Sequence, residues 1–122
     1  MPITGKSSQR KGKRHEEHIL SLLPQAYRCK QTGDIESYHP FWQRFNIECK
    51  DRERWSVGEW IRQSVRDMCK KGKELWCVIF TKNYDRTDYF LCDFQFILEV
   101  QRELDELRAE VEEERCLKNS KN

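Results

Sequence analysis

With 122 residues, a mass of 14.9 kDa, 37% hydrophobic and 36% charged residues, the chain has the length of one domain and a small core under a heavily charged surface. This composition excludes a membrane protein: no apolar run approaches the ~20 residues that cross a bilayer, and the amino terminus lacks the apolar stretch of a signal peptide, so a cytoplasmic address is expected. The net charge of +2 hides a gradient, +5 over residues 1–30, zero over 31–98 and −3 over 99–122, and the basic front end suits either a polyanion partner or a solubilising tail.

Taken in chain order, the first periodic segment runs from Gln9 to Leu23, with His15, Ile19, Leu22 and Leu23 on one helical face, a basic arm at about 1–12 before it and Pro24 as its stop. A short strand, Ala26 to Lys30, follows. Gln31-Thr32-Gly33-Asp34 is a turn signal, leading into an extended stretch that breaks near His39-Pro40 and resumes at Phe41. Phe45 to Lys50 alternates apolar and polar residues: Phe45, Ile47 and Cys49 point one way, Asn46, Glu48 and Lys50 the other.

Ser56-x-x-Glu59 is a capping box, with Trp55 and Trp60 as its hydrophobic staple. Val57, Trp60, Ile61, Ser64, Val65 and Met68 give that helix an inward face, and Gly72 after Lys70-Lys71 is its carboxyl-terminal cap. Leu75 to Thr81 reads as a buried central strand, Asn83 to Arg86 as a turn, and Tyr89 to Cys92 as a further strand. From Asp93 the pattern is helical, an acidic helix at about 94–115 with Phe94, Ile97, Leu98, Leu104, Leu107 and Val111 on a stripe that serves packing or a dimer. The expected architecture is one domain over 1–122, an α/β fold in the order α-β-β-β-α-β-β-α, with a central mixed sheet in which the crossing helix links strands that can lie parallel.

The six cysteines, Cys29, Cys49, Cys69, Cys77, Cys92 and Cys116, form no close pair. A zinc site has little support, and most are expected to be small, buried, reduced thiols.

The sharpest chemistry lies in Asp34 and Glu48-Cys49-Lys50, with Glu16 or Glu17 on the preceding helix. Strand alternation puts Glu48 and Lys50 on one face, about 7 Å apart along the chain. Carboxylate oxygens suit Mg²⁺ or Mn²⁺, which are held by one or two carboxylates with substrate phosphate and water completing the shell. A lysine beside them would orient water and offset charge developing on a phosphate. The same Glu-x-Lys on a strand is also a common exposed ion pair.

A strand, a carboxylate, a strand carrying Ile-Glu-Cys-Lys and a capped helix crossing to a buried strand resemble the core of the PD-(D/E)XK nuclease superfamily. Asp34 matches the first Asp of that motif and Glu48-Cys49-Lys50 its (D/E)XK, with Gly33 standing where Pro would be. Arg10-Lys11-Gly12-Lys13-Arg14-His15-Glu16 is similar to the amino-terminal signature of the archaeal-type Holliday-junction resolvases. The motifs cover most of the first half of the chain, and the later β-β-α segment matches in outline only.

The resemblance implies a restriction-endonuclease-like core and a Mg²⁺-dependent endodeoxyribonuclease, with Mn²⁺ able to substitute. Four-way (Holliday) junctions or other branched DNA would be its substrate and a homodimer its active form. Asp34, Glu48 and Glu16 would be metal ligands, with the backbone carbonyl of Cys49 as another oxygen, and Glu17 the rival of Glu16. Lys50 would be the catalytic lysine, while Arg10, Lys11, Lys13 and Arg14 would touch the DNA backbone. Arg52 and Arg54 are further candidates for phosphate contact. His15 and His18 read as phosphate contacts or solvated side chains before ligands or bases. Trp42, Trp55, Trp60 and Trp76 can stack on bases, although Trp60 and Trp76 suit the core. Other activities on the same fold, directed at flaps, repair or restriction, remain alternatives, as does a DNA-binding module that keeps the fold without cutting.

Overall fold

A computed structural model describes residues 5–82 and 87–120, with side chains from Gly12 onward. The elements are α1 (Gly5–Leu22), β1 (Ala26–Arg28), β2 (Ile35–Ser37), a 3-10 turn (Trp42–Arg44), β3 (Phe45–Asp51), α2 (Val57–Lys71), β4 (Leu75–Thr81), β5 (Tyr89–Cys92) and α3 (Phe94–Ser120). The chain divides into two compact units, Met1–Cys92 and Asp93–Asn122, the second being α3. Among the described residues no helix is long and apolar enough to cross a membrane.

The first unit is a five-stranded mixed sheet in the order β1-β2-β3-β4-β5. Every neighbouring pair is antiparallel except β3 and β4, which run parallel from Phe45↔Leu75 to Asp51↔Thr81 because α2 carries the chain back between them. The continuous apolar run of β4 is what a strand covered on both faces needs, and Cys77 to Thr81 are all buried. One face of the sheet holds Ile35, Phe45, Ile47, Cys77 and Ile79, all buried and on the side of α1 and its buried Ile19. On the other face Trp60 of α2 packs with Val78 and Phe80, flanked by Trp76 and Leu91.

Several local expectations are corrected. α1 begins at Gly5 rather than Gln9, so residues 5–12 continue a helix where an arm was expected; the straight-chain Lys, Gln and Arg residues there favour propagation. Leu22 is 60% exposed, since the buried face follows His15 and Ile19, four residues apart. β1 stops at Arg28 instead of Lys30: the Cys29 N–H donates to the Asp34 carbonyl at 2.7 Å in the same register, and the chain then turns, the Gly33 N–H closing on the Cys29 carbonyl at 2.8 Å. Phe41 starts the 3-10 turn instead of a strand. The expected turn at 83–86 lies outside the described residues.

α2 starts where expected, but Ser56 makes no side-chain cap; its carbonyl accepts from the Trp60 N–H at 3.0 Å, and Val57 is exposed. The two tryptophans close on one ring instead of on each other: Trp55 and Trp60 lie 5.0 and 5.3 Å from Phe80, centroid to centroid. At the other end Gly72 is left-handed (φ 66°), and the Gly72 and Lys73 N–H groups donate to the carbonyls of Cys69 and Met68, a complete Schellman closure. All six cysteines are free, as expected, but only Cys77 is buried: Cys29, Cys49 and Cys92 are half-buried, Cys69 is exposed on the polar side of α2, and Cys116 is exposed in a stretch of α3 where every residue is.

Candidate active site

Glu48 and Lys50 emerge on the α2 face of β3, as the period of two requires, while Cys49 faces α1. Asp34 immediately precedes β2, and Ile35 pairs with Ile47. Carrying that antiparallel register one residue further sets Asp34 opposite Glu48 across the two strands. Opposed carboxylates repel unless something positive lies between them.

Glu16, Asp34, Glu48 and Cys49, with Ile35 and Ile47, line one pocket of about 30 Å³. That exceeds the ~10–15 Å³ a single water requires, so a water or a bare divalent ion fits. Glu17, the rival carboxylate, is exposed on α1 and does not line the pocket.

Gly33 explains its own departure from the motif. Its φ of 77° is closed to proline, whose ring holds φ near −65°, and its N–H donates to the Cys29 carbonyl at 2.8 Å. Gly33→Pro should therefore destabilise the fold by about 2 kcal/mol by urea denaturation, through lost turn geometry and a lost hydrogen bond. A variant as stable as the parent would contradict this account of the turn.

α2 supplies a rail of polar groups that reading β3 alone does not reveal. Gln63, Asp67 and Lys71 recur every four residues, about 6 Å of helix rise, which matches two residues of strand. Lys50 Nζ donates to Gln63 Oε1 at 3.1 Å, Asp67 shares a hydrogen bond with Glu48, and Lys71 Nζ donates to Asp34 Oδ2 at 2.6 Å. Asp67 and Lys71 are thus site residues that sequence reasoning missed. The available signal was their four-residue spacing on a helix whose other face is apolar. On the opposite side Glu16 is ion-paired with Arg28 of β1.

Burial pushes the Glu48 carboxyl up from 4.5 to about 7; the hydrogen bond to Asp67 and the charges of Asp34 and Asp67 add to the rise, and Lys50 opposes it. Lys71 also titrates above its ordinary value: burial works against its charge and is outweighed by the hydrogen bond to Asp34 and the fields of Asp34, Glu48 and Glu36. Burial, with Glu16 and Glu48 nearby, raises the Cys49 thiol to about 12, so it is no nucleophile at neutral pH.

Because Glu48 is raised, the folded chain holds a proton that the unfolded chain releases between 4.5 and about 7. The contribution of this group is full below 4.5 and is lost as pH rises through about 7. Glu48→Gln cannot titrate, so it should gain stability relative to the parent between about pH 5 and about pH 8 in urea titrations. Parallel pH profiles for the two proteins would contradict the shift.

The donor set fits a hard divalent cation in one respect and is incomplete in another. Asp34 and Glu48 line the pocket and bring it two carboxyl-bearing side chains, the oxygen donors such an ion prefers. Among the described residues, however, no three His, Cys, Asp or Glu side chains converge closely enough to hold an ion by themselves. Mg²⁺ commonly takes only one or two carboxylates and fills its shell with water and phosphate oxygens, and Asp34 and Glu48 meet that requirement.

The remaining candidates separate. Lys13, Arg14, Arg52 and Arg54 are exposed, with Arg52 and Arg54 just past the carboxyl end of β3; the side chains of Arg10 and Lys11 lie outside the described residues. His15 and His18 share a partner: their Nε2 atoms lie 3.0 and 2.9 Å from the two carboxylate oxygens of Asp88, just before β5; His15 is buried instead of solvated, while His18 stays exposed as expected. Trp60 is core, Trp76 is partly buried against it, and Trp42 packs against Phe41, Phe45 and Phe90. Trp55 remains 44% exposed.

Compared with known proteins, the chain matches no family model, no curated sequence and no solved structure.

Proposed function

We propose that the chain is a Mg²⁺-dependent DNA endonuclease of PD-(D/E)XK type that cuts branched DNA, four-way junctions foremost, as a homodimer in the cytoplasm. The observation that carries this reading is the opposition of Asp34, just before β2, and Glu48 of β3, lining one pocket with Glu16 and Cys49, with Lys50 on the same strand face as Glu48. A DNA-binding surface gains nothing from carboxylates facing a phosphate unless a cation neutralises them.

Asp34 and Glu48 would hold the metal, with the Cys49 carbonyl beside them and Glu16 reaching the same pocket from the α1 side. When bound, Mg²⁺ supplies charge neutralisation at the scissile phosphate and a more acidic water. Lys50 is placed to donate to a phosphate oxygen once it leaves Gln63, and so to stabilise charge that grows during hydrolysis. Lys71 and Arg28 hold Asp34 and Glu16 in place before the substrate arrives. Lys13, Arg14, Arg52 and Arg54 would contact the DNA backbone, together with Arg10 and Lys11.

The test is a cleavage panel with Mg²⁺ or Mn²⁺ over four-way junctions, flaps, nicked and linear duplexes. Symmetric cutting of the junction supports the proposal; cutting of a flap or nicked duplex alone moves it to another nuclease of the same fold. If every substrate stays intact the enzyme reading fails.

The pairs Lys71–Asp34 and Arg28–Glu16 favour a second reading, a DNA-binding module whose carboxylates are permanently neutralised by the protein. Calorimetric titration with Mn²⁺ separates the two: binding that Asp34→Asn abolishes supports the nuclease, and no binding supports the module.

A further inference from the structure

The most informative surface outside the pocket is α3, whose apolar stripe is left exposed along most of its length. Ile97, Val100, Leu104, Leu107 and Val111 recur at alternating intervals of three and four, the spacing of a two-stranded seam. Ile97, Leu104, Leu107 and Val111 are between 46% and 55% exposed, and every residue from 101 to 120 is exposed. Around the seam the polar positions are filled by Glu99, Arg102, Asp105, Glu106, Glu112 and Glu113, which keeps the opposite side of the helix wet.

The residues flanking the seam decide what covers it. Glu103 and Glu110 stand on one flank, and Arg108 and Arg115 on the other, each Arg five residues beyond a Glu. In a parallel pair of helices a residue on the first flank faces the residue five positions further along the second flank of its partner. Glu103 then meets Arg108 and Glu110 meets Arg115, twice over by symmetry. An antiparallel pair sets Glu against Glu and Arg against Arg.

We infer that α3 is an interaction surface for a second copy of this chain, joined in register as a parallel two-stranded coiled coil through Ile97, Val100, Leu104, Leu107 and Val111. Beyond Val111 the seam positions are Glu114 and Lys118, so the apolar contact is short and the affinity modest. The arrangement sets the two amino ends of α3 side by side. It rests on α3 alone and holds whether or not the sheet unit cuts DNA.

Sedimentation equilibrium of the full chain at tens of micromolar tests it. The parent should be dimeric and the Leu104→Asp/Leu107→Asp variant monomeric, while tryptophan fluorescence stays that of the parent, since Trp42, Trp55, Trp60 and Trp76 all precede α3. Glu103→Arg/Glu110→Arg and Arg108→Glu/Arg115→Glu should each associate at least about tenfold more weakly, and an equimolar mixture of the two should recover dimer. A monomeric parent, or a leucine variant that still dimerises, overturns the surface. Charge variants that self-associate as tightly as the parent overturn the parallel pairing.

Discussion

Glu48→Gln should lower Mg²⁺-dependent cleavage of a four-way junction by at least about a thousandfold, while junction binding measured in Ca²⁺ stays within about threefold. The structure makes this substitution informative because Glu48 is held protonated up to about pH 7 by burial and by Asp67. Glutamine has the shape of that protonated carboxyl, so the metal-free fold loses little, and what disappears is the negative charge that a cation needs. Lys50→Ala should cost about a hundredfold or more in the single-turnover rate, with metal affinity retained, because its ammonium acts on the phosphate and not on the ion. Single-turnover assays beside gel-shift titrations read the two effects apart. Parental cutting by Glu48→Gln would remove the proposed site whatever the fate of Lys50.

The largest effect on stability is expected at the start of β3. Phe45 is 1% exposed, and its ring lies 5.7 Å from Phe41, 5.4 Å from Trp42 and 6.1 Å from Phe90, centroid to centroid. Phe45→Ala empties a site ringed by rigid aromatic groups, which cannot collapse into the gap, so a loss of about 3–5 kcal/mol is expected by urea denaturation. Phe45→Leu, which keeps more of the volume, should lose about 1.5 kcal/mol or less. A loss below about 1 kcal/mol for the alanine variant would show that these rings repack freely. The position also bears on the site, since β3 brings Phe45 into the sheet and presents Glu48 and Lys50 from the same strand.

Much of the fold was legible because it rests on short-range periods. Alternation from Phe45 to Lys50 assigned each side chain to a face, and the apolar run Leu75–Thr81 marked a strand buried on both sides. Gly72 closed α2 as expected, because a left-handed cap is a local requirement that glycine meets without strain. The capping box failed for the same local reason: Ser56 sits at φ −105° and ψ 65°, and its hydroxyl makes no cap there. The pairing of His15 and His18 with Asp88 was not legible, because that partner lies some seventy residues away in the sequence.

The sequence by itself determined the order of elements, the face from which Glu48 and Lys50 project, and the four carboxylate and carbonyl donors worth watching. Only the tertiary structure decided that Asp34 stands across from Glu48, that Glu16 rather than Glu17 lines the pocket, and that Lys71 and Asp67 belong to the site. The physical reason is that periodicity sets where a side chain points along its own element. Which charges meet is set by strand register and by the line on which a helix crosses the sheet, and both arise from packing between distant segments.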